Sequence, residues 1–396
     1  MKPLLYSVLP RPAHPTRDGL AIRNYHLLDA LAREFHVHAF VLAPPHLAGR
    51  GEYPDGIEVE EIPHTEENLR RSLALAGSLL SGAALPGLLY RSRRLARRLC
   101  ARVALRRPAW IVAHSYHVAE TALETDVPVW VDFHNVDSEI WRRMGEFETG
   151  ASGALLRWQA PRVAGLERSI VGRASGLSCV SERDARALAS AGAAAPFVLP
   201  NGVDLSRYSF RAEPSSEERI FFVGDLSWPP NVQGIRWFCG EVWPLVSRLR
   251  PAARVQILGR GTETRLERLV RSPPAGVTFL GEGGDTRPYW ARAAVSVVPL
   301  LAGGGTRLKI LEAAACGVPV ISTPVGAEGL DLVPGSEILL AAETVEFAGA
   351  VAKLLADAGA RRLQAAAARR RVERCYDWRD IGRRFAEELS RRVESR

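Results

Sequence analysis

Three consecutive glycines, Gly303, Gly304 and Gly305, are followed at once by Thr306 and Arg307, then by Lys309 and Glu312 on a short helical run. Glycines let a backbone approach a ligand closely, and the helix they open presents unpaired N–H groups that suit an anion. Lys309 departs from the habit of the chain: Lys2, Lys309 and Lys353 are its only lysines, and the other 49 cations are arginine. A compact ammonium at a helix start suits a phosphate as a point charge. The alternative is an ordinary i,i+3 surface pair of Lys309 with Glu312, which leaves the glycines unexplained. A glutamate repels phosphate, so Glu312 is expected to accept hydrogen bonds from neutral hydroxyls further along the ligand, as acids do for a ribose. Diphosphate and ribose together describe a nucleotide.

These residues need a strand, a turn and a helix to hold them, and the sequence supplies all three. AVSVVPL reads as a buried strand, LAGGG as the turn and TRLKILEAAA as the helix. At about 100° per residue, Leu308, Ile310, Leu311, Ala314 and Ala315 share one arc, while Lys309 and Glu312 fall on the other side. The same alternation of short β-rich runs with helical stretches extends through the chain. It begins with Leu4 to Leu9 and the helical LAIRNYHLLDALAREF, and it restarts after the polar RYSFRAEPSSEER with RIFFVG, ARVQILG and GVTFLG. The expectation is an α/β protein of two doubly wound domains facing across a cleft: residues 1–208, a linker at 209–218, a second domain at 219–377, and a last helix at 378–396 that packs back on the first domain.

Composition bounds what such a fold can serve. The 396 residues, 47% hydrophobic and 24% charged, suffice for two cores. Five separated cysteines suggest neither a disulfide framework nor a zinc site and fit a reducing cytoplasm. The apolar start stops at Pro10, too short for a secretory signal. The net charge of +8 is uneven: Leu69 to Pro108 holds ten arginines and no acid. Glycines, serines and a proline break its apolar part, so it reads as short amphipathic helices rather than a membrane span, either solvated or facing an anionic surface at the inner face of a membrane. No nucleic-acid partner is expected. HSYH, with His114 and His117, has helical metal spacing but no third ligand nearby, and reads as a polar edge.

In this order and spacing, the motifs resemble the family 4 retaining glycosyltransferases of the two-Rossmann (GT-B) type, the bacterial glycosyl transferases group 1. GGGTRLKILEA followed by CGVPVISTPVGAEG is similar to their C-terminal half; TRDGLAIRNYHLLDALAREFHVHAF to their N-terminal glycine loop and helix; VWVDFHN to a strand ending in histidine; VLPNGVD to the entry of the second domain; FLGEGGD to a base-side loop. The resemblance implies hexosyl transfer from a nucleoside diphosphate sugar to a hydroxyl acceptor, in polysaccharide or natural-product biosynthesis. It puts Glu312 on the ribose, and Gly303, Gly304, Gly305, Thr306, Arg307 and Leu308 around the diphosphate and sugar. His134 would meet the reacting sugar, Gly19 the phosphates, and Gly281 and Glu282 the base. The acceptor side would lie near Arg17, Asp18 and Arg23, and His134, Arg307 and Lys309 would be the catalytic groups.

Two departures stand out. Relatives often carry an acid with seven residues between it and the second acid, and here that position is Gly304. They also present cations after the first strand of the second domain, where this chain has GDLSWPPNVQG. Arg307 and Lys309 then carry more of the charge. No paired aspartates suit a metal on the diphosphate, so no metal and no further cofactor is expected beside the nucleotide-sugar donor. The expected donor is a UDP-sugar, with GDP-mannose behind it. A rearranging epimerase of the same fold would need carboxylates that Gly304 argues against, and a non-catalytic nucleotide-sugar-binding protein is the remaining alternative.

Overall fold

The computed structural model describes residues 2–16, 18–64, 67–261, 266–303 and 305–394, without the side chains of 67–70. Arg17 and Gly304, both expected at the site, lie outside the described residues. The chain divides into two units, Met1–Asn201 with Arg379–Arg396, and Gly202–Trp378.

The first unit is built on seven parallel strands: β1 (Leu4–Leu9), β2 (His36–Ala43), β3 (Glu58–Pro63), β4 (Trp110–Ala113), β5 (Val129–Phe133), β6 (Gly176–Cys179) and β7 (Phe197–Val198). Their order is β3-β2-β1-β4-β5-β6-β7, so the winding reverses between β1 and β4. β1, β4 and β5 are buried along their whole length, which matches runs that are apolar but for Ser7 and Asp132. On the terminal helix Trp378–Glu394, Ile381, Phe385 and Leu389 form a helical stripe that is buried. Phe385 meets the Trp130 ring edge at 5.7 Å. A Cβ on Gly382 would stand 2.5 Å from that of Ala30, so only glycine lets this helix lie against helix Gly19–Glu34.

The second unit has six parallel strands: β8 (Arg219–Val223), β9 (Arg254–Leu258), β10 (Val277–Gly281), β11 (Val295–Val298), β12 (Val320–Ser322) and β13 (Leu339–Leu340). Their order is β10-β9-β8-β11-β12-β13, with the reversal between β8 and β11. The two-residue β13 is too short for any periodicity to announce it.

The division falls at Asn201 and Gly202, ahead of the expected boundary at 208. The polar stretch 209–218, expected to be a linker, belongs to the second unit. Its scarcity of aliphatics misled because it is held by backbone bonds instead: Arg211 donates to the carbonyl of Ala293 at 2.6 Å, its own N–H reaches that of Cys316, and Ser215 donates to Arg292. The basic region forms helices Glu67–Ser81, Leu85–Tyr90 and Arg93–Leu105. Among the described residues, no helix is long and apolar enough to cross a membrane.

Candidate functional site

Ligands of doubly wound sheets gather beyond the carboxyl ends of the strands, where the order reverses. In the second unit that place is framed by the loops after β8 and β11. Their spacing is fixed by one glycine: a Cβ on Gly234, in helix Pro229–Trp237, would lie 2.4 Å from the carbonyl oxygen of Pro299. The β11 loop then turns through Gly303 and Gly305, at φ of 123° and 79°, left-handed values that side chains disfavour. It enters helix Leu308–Ala315 without a side-chain cap; the Ile310 amide donates to the Arg307 carbonyl, and the Leu308 and Lys309 amides before it keep their donor capacity. Thr306 Oγ1 is buried with no hydrogen-bond partner beside them. Ile310, Leu311, Ala314 and Ala315 are buried beneath, on the arc that the sequence marks as packing; Ala313, off that arc, is buried too, and Leu308, on it, is half-buried.

Lys309 and Glu312 do not pair on the surface; each turns to its own partners. The Lys309 ammonium donates to Asn231 Oδ1 at 3.3 Å and sits 4.0 Å over the Phe222 ring. Burial, with the Arg307 charge added, pushes its pKa down to about 7, against a smaller pull from Glu312. Arg307 is buried, donates to the carbonyl of Gly305 at 2.6 Å and lies 5.5 Å from the Trp228 ring. Glu312 accepts from Trp290 Nε1 at 3.3 Å; burial pushes its carboxyl up, and the Trp290 and Tyr208 donors hold it back. The cation-free loop GDLSWPPNVQG thus does meet the cations, through Asn231 and Trp228. Its only sequence signal was the Trp-Pro-Pro-Asn run. Tyr208, Trp290 and Phe222 carried no such signal. Gly281, at φ 74°, ends β10, and the exposed Glu282 follows it, at the far edge of the sheet order. They connect to the β8 loop through backbone bonds, Gly259 N–H to Gly281 and Leu226 N–H to Arg260.

In the first unit the reversal lies between the loops after β1 and β4. Gly19 is exposed at the start of its helix. Two residues expected on the acceptor side are committed elsewhere. Arg23 falls on the helix face of Leu27 and Ala30 and is fully buried. It donates through Nε and Nη2 to Asp132, both at 2.7 Å, and through Nη1 to Asn201 and the Pro200 carbonyl. Asp18 caps its helix by accepting from Leu20 and Ala21 N–H at 3.1 Å, and pairs with Arg11. His134, at the end of β5, has Nε2 3.1 Å from Asp132 Oδ2; burial outweighs this carboxylate and lowers its pKa, which leaves a neutral ring. Burial works against the Asp132 charge, yet Arg23 overrides it and holds the carboxyl well below the usual range. Ser178 donates to Asp132 at 2.7 Å. Asp132 and Ser178 read as strand interior in the sequence, and nothing in it marked them as polar partners.

Comparison with known proteins matches both units. Residues 17–207 fit the family model described as Glycosyltransferase Family 4, and residues 217–357 that described as Glycosyl transferases group 1. A relative from Klebsiella pneumoniae, an "Uncharacterized 44.6 kDa protein in cps region", is 27% identical over 33% of this chain. Glycogen synthase of Mycobacterium tuberculosis is 26% identical over 69%. A "GDP-mannose-dependent monoacylated alpha-(1-6)-phosphatidylinositol monomannoside mannosyltransferase" of Corynebacterium glutamicum is 31% identical over 37%. The matches span 35%, 67% and 41% of the lengths of these relatives. Among solved structures, sucrose-phosphate synthase from Thermosynechococcus elongatus superposes with a TM-score of 0.74 at 18% identity over 99% of both chains. Anabaena HepE, solved with UDP-glucose, gives 0.68 at 15% identity over 98% of this chain and 99% of its own. With a family model on each unit and this architecture, the chain belongs to the family 4 glycosyltransferases of the GT-B fold.

Proposed function

We propose that the protein transfers a hexosyl group from a UDP-sugar to a hydroxyl acceptor with retention of anomeric configuration and without a metal ion. The observation that carries this reading is Lys309, an ammonium whose direct contacts are an amide oxygen and an aromatic ring, beside an uncapped helix start and a glycine turn, at the point where the sheet order reverses. Breaking the bond between sugar and diphosphate develops negative charge on the leaving phosphate. Lys309, Arg307 and the loop amides meet that charge, and fixed donors of this kind are worth about 3 to 4 kcal/mol each in a transition state. Glu312, oriented by Trp290, accepts from the ribose hydroxyls. His134, neutral, hydrogen-bonds a hydroxyl of the transferred sugar, and the leaving phosphate takes the proton of the acceptor.

UDP is favoured because HepE, similar in fold, was solved with UDP and with UDP-glucose. GDP-mannose is the second reading, favoured by the C. glutamicum relative. The acceptor side meets an anionic lipid surface: Arg93, Arg94 and Arg97 are exposed on one helix, and Leu73, Leu79 and Leu80 are 62%, 64% and 90% exposed on another. Flotation with phosphatidylglycerol vesicles, but not with phosphatidylcholine vesicles, is the expected result; equal recovery from both removes this surface from the reading.

Calorimetry with UDP, GDP and their sugars, on wild type and on Lys309→Ala and Glu312→Ala, tests the donor site. One nucleotide should bind, without added metal and in the presence of EDTA, and both substitutions should weaken it by more than about 1 kcal/mol, beyond a surface ion pair. Binding with no turnover of any acceptor leaves the non-catalytic alternative.

A further inference from the structure

The histidines of HSYH take no part in the donor site, yet the second of them stands in a built polar cluster of the first unit. Ser115, just past β4, has φ 144° and ψ 147°, a region that side chains scarcely populate and that recurs at functional sites. Its hydroxyl is 2.6 Å from His117 Nδ1 and accepts from the His117 backbone N–H at 3.3 Å. When the hydroxyl gives its proton to Nδ1, the ring proton sits on Nε2. Tyr90 and Tyr116 flank the ring at 4.6 and 4.2 Å and fix its plane. Burial pushes its pKa down to about 3, aided by His134 and Arg11, so the ring is neutral.

His117 Nε2 faces Asp137 Oδ2 at 3.6 Å, beyond hydrogen-bond reach, and the two side chains keep 21% and 17% exposure. Asp137 opens helix Asp137–Phe147 and accepts from the Tyr116 hydroxyl at 2.8 Å. Burial lifts its pKa to about 6 against that hydrogen bond. On its other flank, Ser138 donates to Glu167 through its backbone N–H, at 3.2 Å, and through its hydroxyl. The helix N-terminus is thereby already served by Glu167, and Asp137 is not needed as its cap. What is left is a fixed N–H donor beside a fixed carboxylate acceptor, partly open to solvent. A hydroxyl, which both donates and accepts, complements such a pair.

We propose that His117 and Asp137 form a hydroxyl-binding pair that orients the acceptor, with Ser115 as the positioning residue that sets the tautomer of His117. The ligand class is a polyol whose hydroxyl donates to Asp137 and accepts from His117 Nε2–H. As an acceptor site the pair rests on the transferase reading; as a polyol site it stands alone.

The test is 15N NMR of the full chain labelled at histidine, with His117 assigned by His117→Gln and glycerol as the polyol. Wild type should show the Nε2–H tautomer, and glycerol should shift the His117 ring signals. Asp137→Asn, which still accepts from Tyr116, should weaken that response by about fivefold or more, the loss of one hydrogen bond. Ser115→Gly, which suits the backbone and deletes the hydroxyl, should mix the tautomers. An Nδ1–H tautomer in wild type, no response to glycerol, or an undiminished response in Asp137→Asn each overturns the pair. UDP binding by the same samples separates the two readings. UDP binding with no glycerol response sinks the pair alone; a glycerol response with no nucleotide binding sinks the transferase reading and leaves a polyol site.

Discussion

The two units share a winding and a reversal point, yet they treat a buried cation in opposite ways. In the first, Arg23 is matched in full by Asp132, Asn201 and a carbonyl, and Asp132 is matched in turn by Ser178. In the second, Lys309 is set against an amide oxygen and an aromatic ring. A charge answered inside the protein is held there without the cost of an unpaired one. A charge left with neutral neighbours keeps its field for a ligand, at some cost to the fold. Burial alone therefore does not mark a functional cation; the partner decides.

The sharpest way to break this comparison is to remove the matching charge. Asp132→Ala leaves Arg23 buried and unpaired, which should destabilise the protein by about 3 to 5 kcal/mol. Denaturant unfolding measures it, and a loss below about 1 kcal/mol would mean the pair is not the anchor that its geometry indicates. The effect belongs to the first unit, and whatever folded fraction remains should bind UDP with unchanged affinity.

This contrast also separates what the sequence makes legible from what it hides. The glycine turn, Lys309 and Glu312 were readable because residue type and local spacing carry them: three glycines in a row, a rare lysine, an acid three residues on. The alternation of strands and helices revealed both sheets for the same reason. Arg23 misled because an arginine near a helix start looks exposed, whereas its phase with Leu27 and Ala30 directs it inward, and its partners lie 109 and 178 residues away. Asn231, Tyr208 and Trp290 were hidden for that reason too. They reach the site from other segments of the chain, and only the strand order brings them there. The unit boundary was missed because chain polarity, not backbone bonding, was the visible quantity.

The first unit offers a second, smaller stability effect of known sign. Burial lifts the Glu167 carboxyl from 4.5 to about 7. Between these values the native state holds a proton that the unfolded chain has lost. This contribution is therefore greatest below pH 4.5 and declines as pH rises to about 7, after which it stays constant. Glu167→Gln removes the ionisation, so its stability relative to wild type should rise by up to about 3 kcal/mol from pH 4.5 to pH 8, at about 1.4 kcal/mol for each pH unit that separates the two values. Parallel denaturation curves, with no change in the gap between them, would show Glu167 to be better solvated than its contacts imply.

In the second unit the same operation should move binding rather than folding. Lys309→Met keeps the volume over Phe222 and removes the charge. UDP affinity should fall by about 1.5 to 3 kcal/mol, the range for a hydrogen bond to a charged group, while the unfolding midpoint stays level or rises. A midpoint loss comparable to that of Asp132→Ala would place Lys309 with the matched cations and dissolve the distinction between the units.

The smallest effect is the most specific to a buried lysine whose direct contacts are neutral. With its pKa lowered to about 7, part of the Lys309 population is uncharged near neutrality, and a diphosphate must protonate it to bind at full strength. UDP affinity should therefore decline from about pH 6.5 to pH 8.5, by at most about 1.4 kcal/mol per pH unit, the limit for uptake of one proton. An arginine stays charged throughout this range. Lys309→Arg should consequently flatten the profile, whatever its affinity at neutral pH, and Lys309→Met should flatten it too, at a weaker level. A wild-type profile that is flat from the outset would mean that the ammonium is held charged by a partner as effective as Asp132 is for Arg23, and the two units would then differ in topology alone.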